Sequence, residues 1–152
     1  MGEQVLRLPK SLEGRKGVIL DTMVFIYLFE DTHEFGSVSE FIFEQTRAGR
    51  LECALTPISA AELMVKPIQK GRHDLADRYR FALSSLKNVV PLSLDFEAGL
   101  MAGSLKAKYG LPLPDMIQAA LAMRSNIPTL ITNDREMKRI TEVEVFLLSD
   151  FL

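Results

Sequence analysis

Gly17-Val18-Ile19-Leu20-Asp21 decides the fold. Three apolar residues opened by a glycine and closed by an aspartate suit a short strand buried on both faces, and such strands belong to parallel sheets covered by helices. Thr129-Leu130-Ile131 repeats the sign near the other end of the chain, followed by Thr132-Asn133-Asp134. Parallel strands point their carboxyl ends at one edge of the sheet, and polar groups that follow them gather in the crevice there.

The segments between these strands carry helical spacing. Phe35, Val38, Phe41, Ile42 and Gln45 share one helix face, and Gly49 is placed to stop that helix before a strand at 51–55. Ser59 opens the next helix, which Pro67 breaks, and residues 73–86 resume with Leu75, Tyr79, Ala82, Leu83 and Leu86. Val89 and Val90 mark a short strand. Residues 95–109 read as a closely packed helix rich in small side chains (Ala98, Gly99, Ala102, Gly103) and closed by Gly110. Leu111-Pro112-Leu113-Pro114 ends any continuation, 115–124 form one more helix, and the apolar run 143–148 finishes the chain. Strands alternating with helices predict a three-layer α/β/α sandwich with a mainly parallel central sheet. The expectation is one domain over residues 1–152, with 1–16 a polar leader.

Four acids stand where strands end or helices begin: Asp21, Glu62, Asp115 and Asp134. Each has a local explanation. Asp21 and Asp134 suit N-caps, Ser59-Ala60-Ala61-Glu62 is a capping-box pattern, and Asp115 after Pro114 complements a helix dipole. Serine, threonine or asparagine caps a helix as well, yet all four positions carry carboxylates, and Glu62 sits about one turn into the helix after the 51–55 strand. Two carboxylates roughly 4 Å apart repel by about 4 kcal/mol at an effective dielectric near 20, so a converging cluster calls for a cation or for protons. Oxygen-only donors suit Mg²⁺ or Mn²⁺, whereas zinc recruits histidine or cysteine.

Other classes are excluded or disfavoured by what is missing. His33 and His73 have no metal spacing and read as surface residues, and Cys53, the single cysteine, reads as a small buried side chain. No phosphate-cradling glycine motif and no nucleophile elbow occurs. The apolar stretches 24–29 and 143–148 are too short to span a bilayer, so the expected location is cytoplasmic, with no membrane partner. A net charge of −2 becomes +2 once the four acids are set aside, so a polyanionic substrate stays open. Between residues 66 and 80, Lys66, Lys70, Arg72, Arg78 and Arg80 outnumber Asp74 and Asp77, and form either a solvated helix face or an RNA-backbone track.

From about Gly17 onward the chain resembles a PIN domain, and within that group a VapC-type toxin ribonuclease. The likeness rests on Val18-Ile19-Leu20-Asp21-Thr22, on Thr56-Pro57-Ile58-Ser59-Ala60-Ala61-Glu62-Leu63, on Leu113-Pro114-Asp115-Met116-Ile117-Gln118-Ala119-Ala120, and on Leu130-Ile131-Thr132-Asn133-Asp134, in that order. It implies that Asp21, Glu62, Asp115 and Asp134 are the metal-binding acids, with Thr132 the hydroxyl beside the last. It also implies RNA cleavage with Mg²⁺ or Mn²⁺, an antitoxin partner and a homodimer. Many members carry asparagine where this chain has Met23, which donates no hydrogen bond and reads as packing the following helix. Housekeeping RNA processing and an inactive PIN-like binding module are the alternatives. A receiver-like signalling module would need paired acids after the first strand and a lysine after the last, and has neither.

Overall fold

The computed structural model describes residues 5–30 and 34–152. Five strands form one sheet: β1 (Val18–Leu20), β2 (Cys53–Leu55), β3 (Val89–Pro91), β4 (Thr129–Thr132) and β5 (Glu144–Leu147). Their order is β3-β2-β1-β4-β5 and every pairing is parallel. The chain builds outward from β1 on one side, then returns to β4 on the other, so the topological switch point lies between β1 and β4. Asp21 extends this central pair, its N–H donating to the Ile131 carbonyl at 2.9 Å.

Alternation along the strands explains the layers. Val18 and Leu20 point into one core with Cys53, Leu55, Val89, Ile131 and Phe146, while Ile19, Ala54 and Leu130 point into the other. The first core is roofed by α1 (Thr22–Glu30), α2 (Gly36–Arg47), α3 (Pro57–Gln69) and α4 (His73–Ser85). The second is covered by α5 (Phe96–Tyr109) and α6 (Leu113–Met123), joined as an antiparallel hairpin with Asp95 at the start of α5 paired to Arg124 at the end of α6. Gly110 terminates α5 at φ 70°, a backbone state that favours glycine. Cys53 is fully buried, and burial pushes its thiol up to about 12, which makes it inert at neutral pH.

Three local expectations change. Thr56, not Ser59, caps α3: its side chain accepts from the Ser59 N–H at 3.3 Å, and Pro57 takes the first helical position, where a missing N–H costs nothing. Pro67 does not break α3, because it sits near the helix end, where only one backbone bond is forfeited and its ring is buried. The small residues of α5 split between two faces. Ala98 and Ala102 are buried, but a side chain at Gly99 or Gly103 would meet nothing within 4 Å. His73 is exposed as expected, and His33 lies outside the described residues.

Candidate active site

Asp21, Glu62, Asp115 and Asp134 line one cleft of about 450 Å³ together with Thr22, Met23, Ile26, Val65 and Lys66. Four distant stretches of sequence therefore meet at the switch point. Asp21 arrives on the end of β1, Asp134 two residues beyond β4, Asp115 in the first turn of α6 and Glu62 in the second turn of α3. Met23 does not pack the core. It is 37% exposed and forms part of the apolar wall of this cleft with Ile26 and Val65.

A buried network holds two of the carboxylates. Asp21 Oδ1 accepts from the Thr22 N–H at 2.8 Å and from Gln118 Nε2 at 3.0 Å, and Oδ2 accepts from the Thr132 hydroxyl at 2.6 Å. Glu62 Oε1 accepts from the Thr22 hydroxyl at 3.0 Å. Since Thr22 has a single hydroxyl proton and spends it on Glu62, Ser59 must be the donor in the 2.9 Å Ser59–Thr22 contact. Ser59 in turn accepts from Gln118 Nε2 at 3.4 Å, and Gln118 Oε1 accepts from the Thr56 hydroxyl at 2.6 Å. Every proton in the chain of bonds thus points toward Asp21 or Glu62. Both are held as acceptors.

Thr132 donates to Asp21 while its oxygen accepts from the Asp134 N–H at 3.1 Å. Asp134 also caps the short 3-10 turn Arg135–Arg139, its Oδ1 accepting from the Glu136 N–H at 3.0 Å, so the cap and the cleft reading hold together. Sequence reasoning missed Gln118, Ser59 and Thr56 as network members. The available signal was Gln118 itself: an amide inside the otherwise apolar run Met116 to Ala122 needs a buried partner.

Asp115 stands apart. It is half-buried and accepts no hydrogen bond from any described residue. Burial first, then the charges of Asp21, Asp134 and Glu62, raise its carboxyl from 3.8 to about 6. Among the described residues, no three acidic, histidine or cysteine side chains form a ready cage for one ion. The chain's own donors draw three of the acids aside, Asp21 to α6 and β4, Glu62 to Thr22 and Asp134 to its cap. Glu62 Oε2, Asp134 Oδ2 and both oxygens of Asp115 stay without a donor among the described residues.

The PIN domain family model matches residues 18–143, most of the chain and all four acids. This protein belongs to the PIN domain family. The PIN fold seen here is similar to that in the VapBC2 complex of Rickettsia felis bound to a DNA fragment from its promoter. The two share 17% identity over 88% of this chain and 98% of that one, with a TM-score of 0.70. It is similar too to VapBC-1 of nontypeable Haemophilus influenzae, with 22% identity, 89% and 98% coverage and a TM-score of 0.63. A toxin–antitoxin complex from Klebsiella pneumoniae gives 23% identity, 84% and 95% coverage and a TM-score of 0.61. At such identities the likeness is one of fold. None of the curated proteins matches the chain. Among the described residues no helix is long and apolar enough to cross a membrane.

Proposed function

We propose that this PIN domain is a divalent-metal-dependent endoribonuclease, the toxin of a toxin–antitoxin pair. The observation that carries the reading is the meeting of Asp21, Glu62, Asp115 and Asp134 in one cleft, where burial and the three neighbouring acids raise the Asp115 carboxyl. A cation relieves such a cluster, and oxygen donors of this kind fit Mg²⁺ or Mn²⁺. Asp21, Glu62 and Asp115 would hold the ion, with Asp134 reaching it through water or serving a second one. When bound, it supplies Lewis acidity toward the phosphate and lowers the pKa of water.

The chain's own part is to orient and to take a proton. Thr22 pins Glu62 Oε1 and leaves Oε2 to accept a proton from the attacking water. That water's oxygen forms the new bond to phosphorus as the P–O3′ bond breaks. The products are a 5′-phosphate and, once the leaving oxygen is protonated, a 3′-hydroxyl, and the 2′-OH takes no part. Thr132 and Gln118 hold Asp21 in register with the other acids. Purified protein should cleave RNA with Mg²⁺ or Mn²⁺ and stop in excess chelator. Cleavage that survives both the chelator and Asp21→Asn rejects the reading.

Ion binding should fall as pH drops below about 6, because Asp115 then keeps its proton. With one proton displaced per ion, apparent affinity declines up to tenfold per pH unit in that range. Calorimetric titration of Mn²⁺ at pH 5 and pH 7 checks this; equal affinities would remove Asp115 from the ligand set.

The antitoxin assignment draws on the similar structures, one of them a toxin–antitoxin complex from Klebsiella pneumoniae. A second copy of this chain is proposed on the outer face of α5. Phe96 (77% exposed), Gly99, Leu100 (56% exposed) and Gly103 recur at helical spacing there, and no described residue covers them. Phe96→Asp with Leu100→Arg should convert a dimer to a monomer in light scattering. A wild-type monomer at high concentration would refute the dimer.

A further inference from the structure

The cleft that holds the four acids continues into a second groove of about 240 Å³, and the two share Ile26, Glu62 and Lys66. Lys70 lies in this second groove with Leu63, Pro67, Leu75 and Tyr79, and Glu30 is its other acid besides Glu62. Glu62, Lys66 and Lys70 are spaced by four residues along α3 and its C-cap, so each lysine lies about 6 Å further along the helix axis than the group before it.

Glu four residues ahead of Lys is the favourable order for an ion pair on a helix. No such pair forms here. Glu62 accepts from Thr22 instead, and no acid among the described residues bridges Lys66 or Lys70. The arginines downstream behave differently. Arg72 bonds both oxygens of Asp74 at 3.1 Å, Arg78 bonds the same carboxylate at 3.1 Å, and neither lines the cleft or the groove. The basic segment 66–80 thus divides into two lysines facing this groove, an arginine pair sharing one aspartate, and Arg80, which lines a separate pocket with Leu55, Met64 and Leu83.

We propose that Lys66 and Lys70 bind phosphates of a single-stranded RNA that runs from the acidic cleft along α3. This deepens the nuclease reading and rests on it. Two unpaired cations stepping away from the acids neutralise backbone phosphates flanking the scissile one, while Ile26, Leu63, Leu75 and Tyr79 offer an apolar and aromatic wall to an unstacked base. Lys66 also complements the dipole at the end of α3, which accounts for a little stability but for no dependence of RNA binding on salt.

The test is the salt dependence of binding of a short fluorescein-labelled single-stranded RNA, measured by anisotropy in chelator so that nothing is cleaved. Lys66→Ala with Lys70→Ala should weaken binding about tenfold and flatten the log K against log salt slope by about 1.4, since each neutralised phosphate contributes about 0.7. Lys66→Arg with Lys70→Arg should keep the wild-type slope, as should Arg72→Ala with Arg78→Ala. An unchanged slope for the alanine pair, in a protein that cleaves RNA with Mg²⁺, overturns the proposal and leaves the nuclease standing. It would give the groove to another occupant, such as a protein segment. A wild type that neither binds nor cleaves RNA defeats the nuclease reading and this proposal together.

Discussion

Asp115→Asn should make the metal-free protein more stable at pH 8 while lowering RNA cleavage on the order of 10²–10³-fold. The two effects have one origin. Among the described residues Asp115 is the one of the four acids left without a donor, and burial with three neighbouring acids raises its carboxyl to about 6. A group whose pKa is higher folded than unfolded favours the folded state while protonated, and that contribution disappears as pH rises from about 4 through about 6. A shift of this size would be worth about 3 kcal/mol if fully felt; because the carboxyl is half-exposed, solvent screening brings the expected gain for asparagine to about 1 kcal/mol above pH 6. At pH 4 the variant and the wild type should unfold together. Urea titrations at the two pH values give the answer, and a variant less stable than wild type at pH 8 would show that Asp115 is not under strain. Saturating Mg²⁺ should reverse the order at pH 8, since the wild type gains from binding and the variant gains less.

Gln118→Met should cost about 2–4 kcal/mol of stability, although methionine nearly matches glutamine in volume. Gln118 is buried, and its amide is the hub of the network: it accepts from Thr56 and donates to Asp21 and Ser59. Methionine would leave the Thr56 hydroxyl without its acceptor and withdraw one donor from Asp21 Oδ1, each a buried loss of about 1–3 kcal/mol. Thermal midpoints should fall by roughly 2–4 °C per kcal/mol in a chain of this size. Asp21 would then be held by Thr132 and the Thr22 N–H alone, so turnover should drop although Gln118 reaches no substrate in the proposed mechanism. A double-mutant cycle with Asp21→Asn separates this from simple unfolding, because residues in direct hydrogen-bond contact should be coupled by more than about 0.5 kcal/mol. Independent, additive effects would mean that Gln118 does not position Asp21.

Much of the architecture was legible in local pattern. Val18-Ile19-Leu20 and Thr129-Leu130-Ile131 read as buried strands because only a sheet covered on both faces tolerates consecutive apolar residues. Gly110 marked the end of α5 because its backbone needs φ near 70°, and Asp134 announced a cap that the structure contains. The cap of α3 was misplaced by three residues. Ser59 and Glu62 form the right pattern, but both side chains are taken by Thr22 and Gln118, partners that lie far off in sequence. Pro67 misled for a related reason, since its ring is buried by tertiary packing that the local pattern does not show. The lysines of the second groove and the arginines beyond it looked alike as a run of charge. Only the placement of Asp74 beside both arginines told them apart.

The order of strands and helices and the burial of the strands at 18–20 and 129–132 were determined by the sequence alone, because they depend on periodicity and on residue type at neighbouring positions. The tertiary structure decided which of the four acids are held and which is strained. Asp21 and Glu62 are satisfied by Thr22, Gln118 and Thr132, which come from α1, α6 and β4, whereas Asp115 has no donor among the described residues and feels the charges of Asp21, Asp134 and Glu62. A carboxylate's energy is set by the donors and charges within a few ångströms of it, and in this fold those are brought there by strand order at the switch point rather than by nearness along the chain.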